Sequence, residues 1–369
     1  MSRWYVALCF LLCTLHVRAQ EQADSIVPPD TLQQQPSSEI SKLREVVRGF
    51  DRLNEDYIEP QHYVFTVMFQ GTHTYDRYSL SGFEGHKIAF APDRKMRFGP
   101  YFGWKWFFAG YTFELGNISL KGLKQEFDVS IYSSQIGIDI FYRRTGSDYK
   151  LVDANLGDGV DASALDDVPF DGLHAGITGI NLYYIFNHGR FSYPAAFAQS
   201  TQQKISCGSW MAGIGYLRNS IELDHEALQT LIDERLGKQK VQLDSGLMFR
   251  NVNFYDLNLS AGYGYNWVFA KNWLFGACLQ AAVAYKRSVG DVVGDERKGF
   301  SFKNINIDGI GRFGLVYNTG KWFAGGNVII HTYNYHKSRF SSNNTFGSMN
   351  IYAGCYFGLK SKYKKDKKK

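Results

Sequence analysis

Apolar and polar residues alternate with a period of two over long stretches of the chain, most clearly in Phe254–Lys286. In the first arm Tyr255, Leu257, Leu259, Ala261, Tyr263, Tyr265 and Trp267 share one parity. Asp256, Asn258, Ser260, Gly262, Gly264 and Asn266 share the other. Period two is the strand period, so one face is apolar and the other is polar or bare. After Ala270-Lys271-Asn272 the alternation resumes, with Trp273, Phe275, Ala277, Leu279, Ala281, Val283 and Tyr285 on the apolar parity. Each arm exceeds the ~5–6 residues of an ordinary soluble strand and the ~9–11 tilted residues that cross a bilayer. Aromatics flank the tight turn, as they do where a barrel wall meets the membrane interface. The pattern predicts one hairpin of a transmembrane antiparallel β-barrel.

The same alternation predicts strands from Tyr63, over 86–104, over Phe107–Leu115, and around Phe127–Ile131 and Ile136–Tyr142. Further strands are expected near 173–187, 204–223, 250–268, 273–286, 301–318, 322–336 and 346–359. Pro92-Asp93-Arg94-Lys95 interrupts the second strand, because proline cannot donate to a ladder. With 86–104 counted once, the total is about twelve, an even number. Connections near 104–106, 133–136, 269–272 and 319–321 are short, with 188–200 the long exception. The alternate set is longer: 76–85, 150–172, 224–248, 287–300 and 337–345, with 118–124 the brief one. Short periplasmic turns and long outer loops would produce this asymmetry.

Composition agrees. Aromatics reach 16% and glycine 37 residues, yet mean hydropathy is −0.28. A barrel hides its apolar content in alternation. Residues 1–19 read as a signal peptide: Met1-Ser2-Arg3, an apolar stretch Trp4–Leu15, then Val17-Arg18-Ala19. Residues 20–37 are a polar, proline-containing linker of disordered character. The 38–62 segment opens with an amphipathic helix on which Ile40, Leu43, Val47 and Phe50 form a stripe. Two readings of that helix stand, docking at the barrel mouth or plugging it. The barrel is expected over 63–359, followed by a basic tail, 360–369. That tail carries most of the net charge of +6, so no nucleic-acid-binding face is expected. Cys207, Cys278 and Cys355 form no C-x-x-C pair, and no phosphate-loop, dinucleotide or zinc spacing is present. No cofactor or metal is expected.

Three blocks carry a resemblance: FDRLNEDYIEPQHYVFTVMFQ (Phe50–Gln70), FAPDRKMRFGPYFGWKWFFAGYTFEL (Phe90–Leu115) and FDVSIYSSQIGIDIFYRRTGSDYKL (Phe127–Leu151). They resemble an uncharacterised family of Bacteroidetes-type outer-membrane proteins, labelled only as a domain of unknown function (forty-four twenty-one). The resemblance runs from about Phe50 to Leu359. It implies an outer-membrane barrel and transfers no activity and no site residue.

The inward parity carries Glu114, Asp128, Asp139, Arg143, Asp256, Lys286, Asp308 and Arg312. Either these pair across a filled lumen, since unpaired buried charge is costly, or they line a water-filled pore. The 150–172 loop holds Asp153, Asp158, Asp161, Asp166, Asp167 and Asp171. A mobile, solvated loop is the expectation and a calcium site the alternative. In the 224–248 loop Asp224, a stripe of Leu228, Leu231, Ile232 and Leu236, and Gly237 predict a capped helix, resting on the rim or serving as a lid. His73 and His331 lie near expected outer strand ends, and His188 in a turn. The terminal parity Ile351, Ala353, Cys355, Phe357 and Leu359 resembles a strand read by barrel-assembly machinery. The expected function is a passive channel, for a small solute, or a structural surface protein in contact with outer-membrane lipid and lipopolysaccharide. Alternatives are a lipid-modifying enzyme near His73 or His331, and a scaffold docked through residues 38–62. Oligomeric state is open.

Overall fold

The computed structural model describes residues 53–93, 96–104, 107–110, 113–114, 125–144, 148–237, 241–290, 305–337 and 340–364. The expected signal peptide, linker and amphipathic helix, apart from its last residue, lie outside the described residues, as does most of the basic tail.

Among the described residues twelve strand positions build the wall. They are β1 (Tyr63–Gly82), β2 (Lys87–Pro92 with Met96–Trp104), β3 (Phe107–Gly110 with Phe113–Glu114) and β4 (Gln125–Tyr132). Next come β5 (Ile136–Arg144), β6 (Leu173–Ile185), β7 (Cys207–Leu223) and β8 (Asn251–Ala270). The last four are β9 (Trp273–Gly290), β10 (Ile305–Asn318), β11 (Trp322–Lys337) and β12 (Phe340–Leu359). Chain neighbours pair antiparallel, β3 and β4 excepted, and β12 returns to β1, with Phe340 opposite Gly82 and Leu359 opposite Tyr63. Among the described residues β3 and β4 form no ladder with each other, which leaves one seam in the barrel wall.

The inside–outside chemistry is the reverse of a soluble protein. On β8 Leu257 and Leu259 are 63% and 68% exposed, whereas Asp256 and Asn258 are 0% and 7% exposed. Trp104, Trp210, Trp267, Trp273 and Trp322 stand exposed at the end of the wall where connections are short, here the turn end. An apolar belt edged by tryptophan is stable against hydrocarbon and costly against water. The fold is a transmembrane antiparallel β-barrel.

Pro92 splits β2 without ending it. Met96–Trp104 pairs β3, whereas Lys87–Pro92 pairs the short strand Tyr149–Asn155 from the loop after β5. The missing N–H breaks the ladder, and the strand changes partner there.

Several expected loops are strand instead. The 76–85 segment continues β1 to Gly82 before a tight hairpin, and 340–345 belongs to β12. β1, β8 and β12 are each 20 residues long. At a rise of about 3.3 Å per residue these far exceed an apolar band of about 25 Å. Their loop ends therefore stand clear of the membrane, where both faces are wet or packed against loops.

Candidate functional site

Among the described residues the interior holds buried side chains in layers, and these begin with a segment the strand pattern did not reveal. The connection from β6 to β7, expected as a long turn, folds inward. Ser192 caps a short helix, α1 (Tyr193–Phe197), its Oγ accepting from the Ala195 N–H at 3.3 Å with Pro194 in the first turn. Tyr193, Pro194, Ala195 and Ala196 are buried. Thr201–Gln203 then pairs with Ile58–Pro60, so the lead-in to the barrel and this plug form one small sheet.

Amides hold the plug. Gln203 Oε1 accepts from the Ser192 N–H at 2.8 Å, and its Nε2 donates to the Arg190 carbonyl at 2.6 Å. Asn266 Nδ2 donates to the Ser192 carbonyl at 2.7 Å. Gln199 Nε2 donates to the Tyr352 hydroxyl at 2.6 Å, and Gln202 Nε2 to the Asn318 carbonyl at 2.9 Å. Asn266 thus satisfies plug backbone that would otherwise be buried without a partner, while the Tyr352 hydroxyl and the Asn318 carbonyl accept from plug side chains. His188 sits at the edge of this segment, 2.8 Å from Gln135 Nε2.

Above α1 lies the first charged layer. Arg312 donates through Nη1 to the Tyr193 hydroxyl at 2.8 Å and through Nη2 to Asp139 Oδ2. Asp139 Oδ1 accepts from Ser130 Oγ at 2.7 Å and from the Tyr132 hydroxyl at 3.0 Å. Next is an aromatic layer. His331 stacks on Phe346, ring centroids 5.0 Å apart at 11°, and the Arg143 guanidinium lies 4.7 Å from the Phe346 centroid. Toward the loop end comes the second charged layer. Lys286 Nζ stands 2.8 Å from Asp308 Oδ1 and 3.1 Å from Asp256 Oδ2, with all three side chains fully buried. The Asn334 N–H also donates to Asp308 Oδ1, at 2.8 Å.

A folded cap closes the loop end. The expected helix forms as α2 (His225–Leu236), Asp224 Oδ1 accepting from the Ala227 N–H at 2.9 Å, with Leu228, Ile232 and Leu236 buried. These pack with Leu156, Leu165 and Phe170 of the preceding loop and with Phe249 and Phe340. Phe254 and Tyr335 stack at 4.6 Å and 12° beneath them. The Tyr149 hydroxyl donates to Asp76 Oδ2 at 2.6 Å, and burial pushes that phenol well up from its ordinary pKa.

The 150–172 loop is thus an ordered part of the cap, not a solvated loop. Leu156, Leu165, Val168 and Phe170 alternate with its aspartates and supply a core. Asp153, Asp158, Asp161, Asp166, Asp167 and Asp171 all point outward. Asp153 pairs with Arg77 at 3.0 Å, and Asp167 lies 3.3 Å from Lys150. Hydrogen bonds that Lys150 donates to Asp93 and Asp167 raise its pKa, and those from Ser163 lower that of Asp161. Among the described residues no three His, Cys, Asp or Glu side chains gather as a metal site.

Of the inward charges, Asp139, Arg143, Asp256, Lys286, Asp308 and Arg312 are all buried. The side chains of Glu114 and Asp128 lie outside the described residues. His73 and His331 are not brought together. His73 shares the outward parity of Val67 and Phe69, whereas His331 is buried inside, mid-wall rather than at a strand end. The free thiols Cys207, Cys278 and Cys355 lie on different strands. The signal that could have revealed the plug was Ser192-Tyr193-Pro194, a capped start, followed by the amides Gln199, Gln202 and Gln203.

Similar solved structures include the outer membrane protease OmpT from Escherichia coli, at 8% identity, covering 80% of this chain and 97% of that chain with a TM-score of 0.33. The translocator domain of the autotransporter NalP from Neisseria meningitidis matches at 10% identity, 86% and 95% coverage and a TM-score of 0.31. Neisserial surface protein A (NspA) matches at 10% identity, 78% and 96% coverage and a TM-score of 0.21. Scores this low carry no inference about activity. No curated protein matches the chain. Residues 51–357 match the family defined as a domain of unknown function (DUF4421), and the chain belongs to that family.

Proposed function

We propose that the protein is an outer-membrane barrel with a closed lumen, acting as a structural surface protein through its folded loop cap. One observation carries this reading: the interior is stopped by the amide-held plug at one end and by an apolar cap at the other. Paired charge fills the layers between. By the usual asymmetry of such barrels the turn end and both termini face the periplasm and the cap faces outward. Barrel-assembly machinery, through the final strand, and outer-leaflet lipid, including lipopolysaccharide, are then its partners.

Planar-bilayer recording of the refolded chain tests the reading. No steady conductance is expected from protein whose fold is verified by heat-modifiable migration. Steady conductance from the intact chain would overturn it.

A gated conduit is the second reading. It is favoured by Gly276 and Gly314, which leave room in the wall for α1. Conductance that develops only when residues 190–200 are replaced by a short turn would support this reading over a permanently closed wall.

A further inference from the structure

On the outer face of β5 to β9 the cross-strand neighbours change chemistry within one step. Ile140, Ile180, Tyr216, Leu257 and Tyr285 form one continuous row of register partners, all apolar or aromatic. The next row toward the loop end is Tyr142, Thr178, Arg218, Tyr255 and Arg287. Arg218 and Arg287 are the two register partners of Tyr255, one on each side. Both are exposed, and the Arg218 guanidinium lies 5.7 Å from the Tyr255 ring centroid. Arg144 follows one row further on, level with Ser220 and Asn253. On the outward parity of these five strands the acid among the described residues is Glu222, four positions beyond Arg218.

The belt fixes the depth of this row. Leu257 and its neighbours must lie in acyl chains, and one two-residue step along a strand advances about 6.6 Å, less when tilted. That step ends among the lipid head groups, where long cationic side chains are stable and tyrosine is favoured. Strands stand about 4.8 Å apart, so Arg218 and Arg287 rise from backbones about 10 Å apart with Tyr255 between them. Two guanidinium forks can converge across that gap on one tetrahedral anion, in a geometry lysine does not offer. We infer that Arg218 and Arg287, astride Tyr255, form a binding site for the phosphate of an anionic lipid in the leaflet at the loop end. The occupant is a lipid because the site opens sideways from the acyl-chain belt and has no wall against bulk membrane. The inference holds whether or not the lumen conducts.

Native mass spectrometry of the full refolded chain in mixed phosphatidic acid and phosphatidylcholine micelles tests it. Wild type is expected to retain phosphatidic acid over phosphatidylcholine by about 25-fold, with each of the two arginines contributing about a factor of five near an anionic surface. The double variant Arg218→Gln/Arg287→Gln is expected to fall near parity, while Arg250→Gln, a surface change in the cap, behaves as wild type. Excess inorganic phosphate is expected to leave retention unchanged. Equal preference in wild type and double variant, or displacement by inorganic phosphate, would overturn the site. Heat-modifiable migration verifies folding. If the double variant does not fold, each single variant carries the test, with an expected loss of about fivefold.

Discussion

Gly276 of the wall lies so close to Ala196 of the plug that a Cβ built on Gly276 would sit 2.4 Å from the Ala196 Cβ. Real carbon atoms do not approach so closely, so the wall is shaped around the plug. Gly276→Ala is expected to push α1 off its seat at a cost of about 1–3 kcal/mol. Ala196→Gly alone costs about 1 kcal/mol in helix propensity. Together they should cost less than the sum, because the clashing methyl is gone. Rescue stays partial, since Asn266 Oδ1 lies 3.0 Å from the same position. Urea unfolding from lipid vesicles, read as a double-mutant cycle, measures the coupling. Strict additivity would refute a wall shaped around the plug.

Arg312 ties plug to wall by donating to both Tyr193 and Asp139. Tyr193→Phe keeps the ring and deletes the acceptor, at an expected cost of about 1.5–3 kcal/mol for a bond to a charged group. The loss should be local. Limited proteolysis is expected to cut within 190–204 sooner while the cap keeps wild-type resistance. Equal sensitisation of the cap would mean that the tyrosine supports the whole barrel rather than the plug.

How much of this was legible follows from which solvent each residue meets. Leu257 and Asp256 were readable as outside and inside because hydrocarbon surrounds one face and polar filling the other. Past the belt that contrast fades. Arg77 and Ser79 face water while Asp76, Tyr78 and Leu80 face the interior, so β1 reads as a loop although it continues to Gly82. The plug has no periodicity, and its order depends on amides that distant strands supply, as Asn266 does for Ser192. The parity of Asp256, Lys286 and Asp308 was legible. Their pairing was not, because it depends on register across three strands. In the aspartate-rich loop Leu156, Leu165 and Phe170, which fold it, follow neither the strand nor the helix period, so its charges dominate the pattern.

Lys286 is the cation of a buried cluster with two carboxylates, and its removal leaves Asp256 and Asp308 facing each other in a dry interior. Lys286→Met is expected to destabilise the barrel by about 3–5 kcal/mol. Adding Asp256→Asn and Asp308→Asn to it should recover most of that loss, because the cost is uncompensated charge rather than missing packing. Unfolding in urea from vesicles compares the single and triple variants. A triple variant no more stable than the single one would show that the cluster works through shape.

Asp244 pins the two halves of the cap together and is completely buried. Its Oδ1 accepts from the Gly246 N–H at 2.7 Å, and its Oδ2 accepts from the Glu84 N–H in the hairpin between β1 and β2. The His86 ring nitrogen Nδ1 accepts from the Asp244 N–H at 3.3 Å. The carboxylate lies where a side chain at position 82 would go, since a Cβ on Gly82 would meet the Asp244 Cγ at 2.2 Å. Asp244→Ala leaves the partly exposed Glu84 and Gly246 N–H groups without their acceptor, at about 0.5–1.5 kcal/mol each. Gly82→Ala is expected to expel the carboxylate and have a similar effect. Both variants should loosen the cap while the plug stays seated, because the charged and aromatic layers separate the two ends. Hydrogen exchange measures this directly. Faster exchange is expected at Glu84, Gly246 and the α2 amides, with unchanged protection at Ala195. Faster exchange at Ala195 as well would show that cap and plug open together, and the two closures would then act as one.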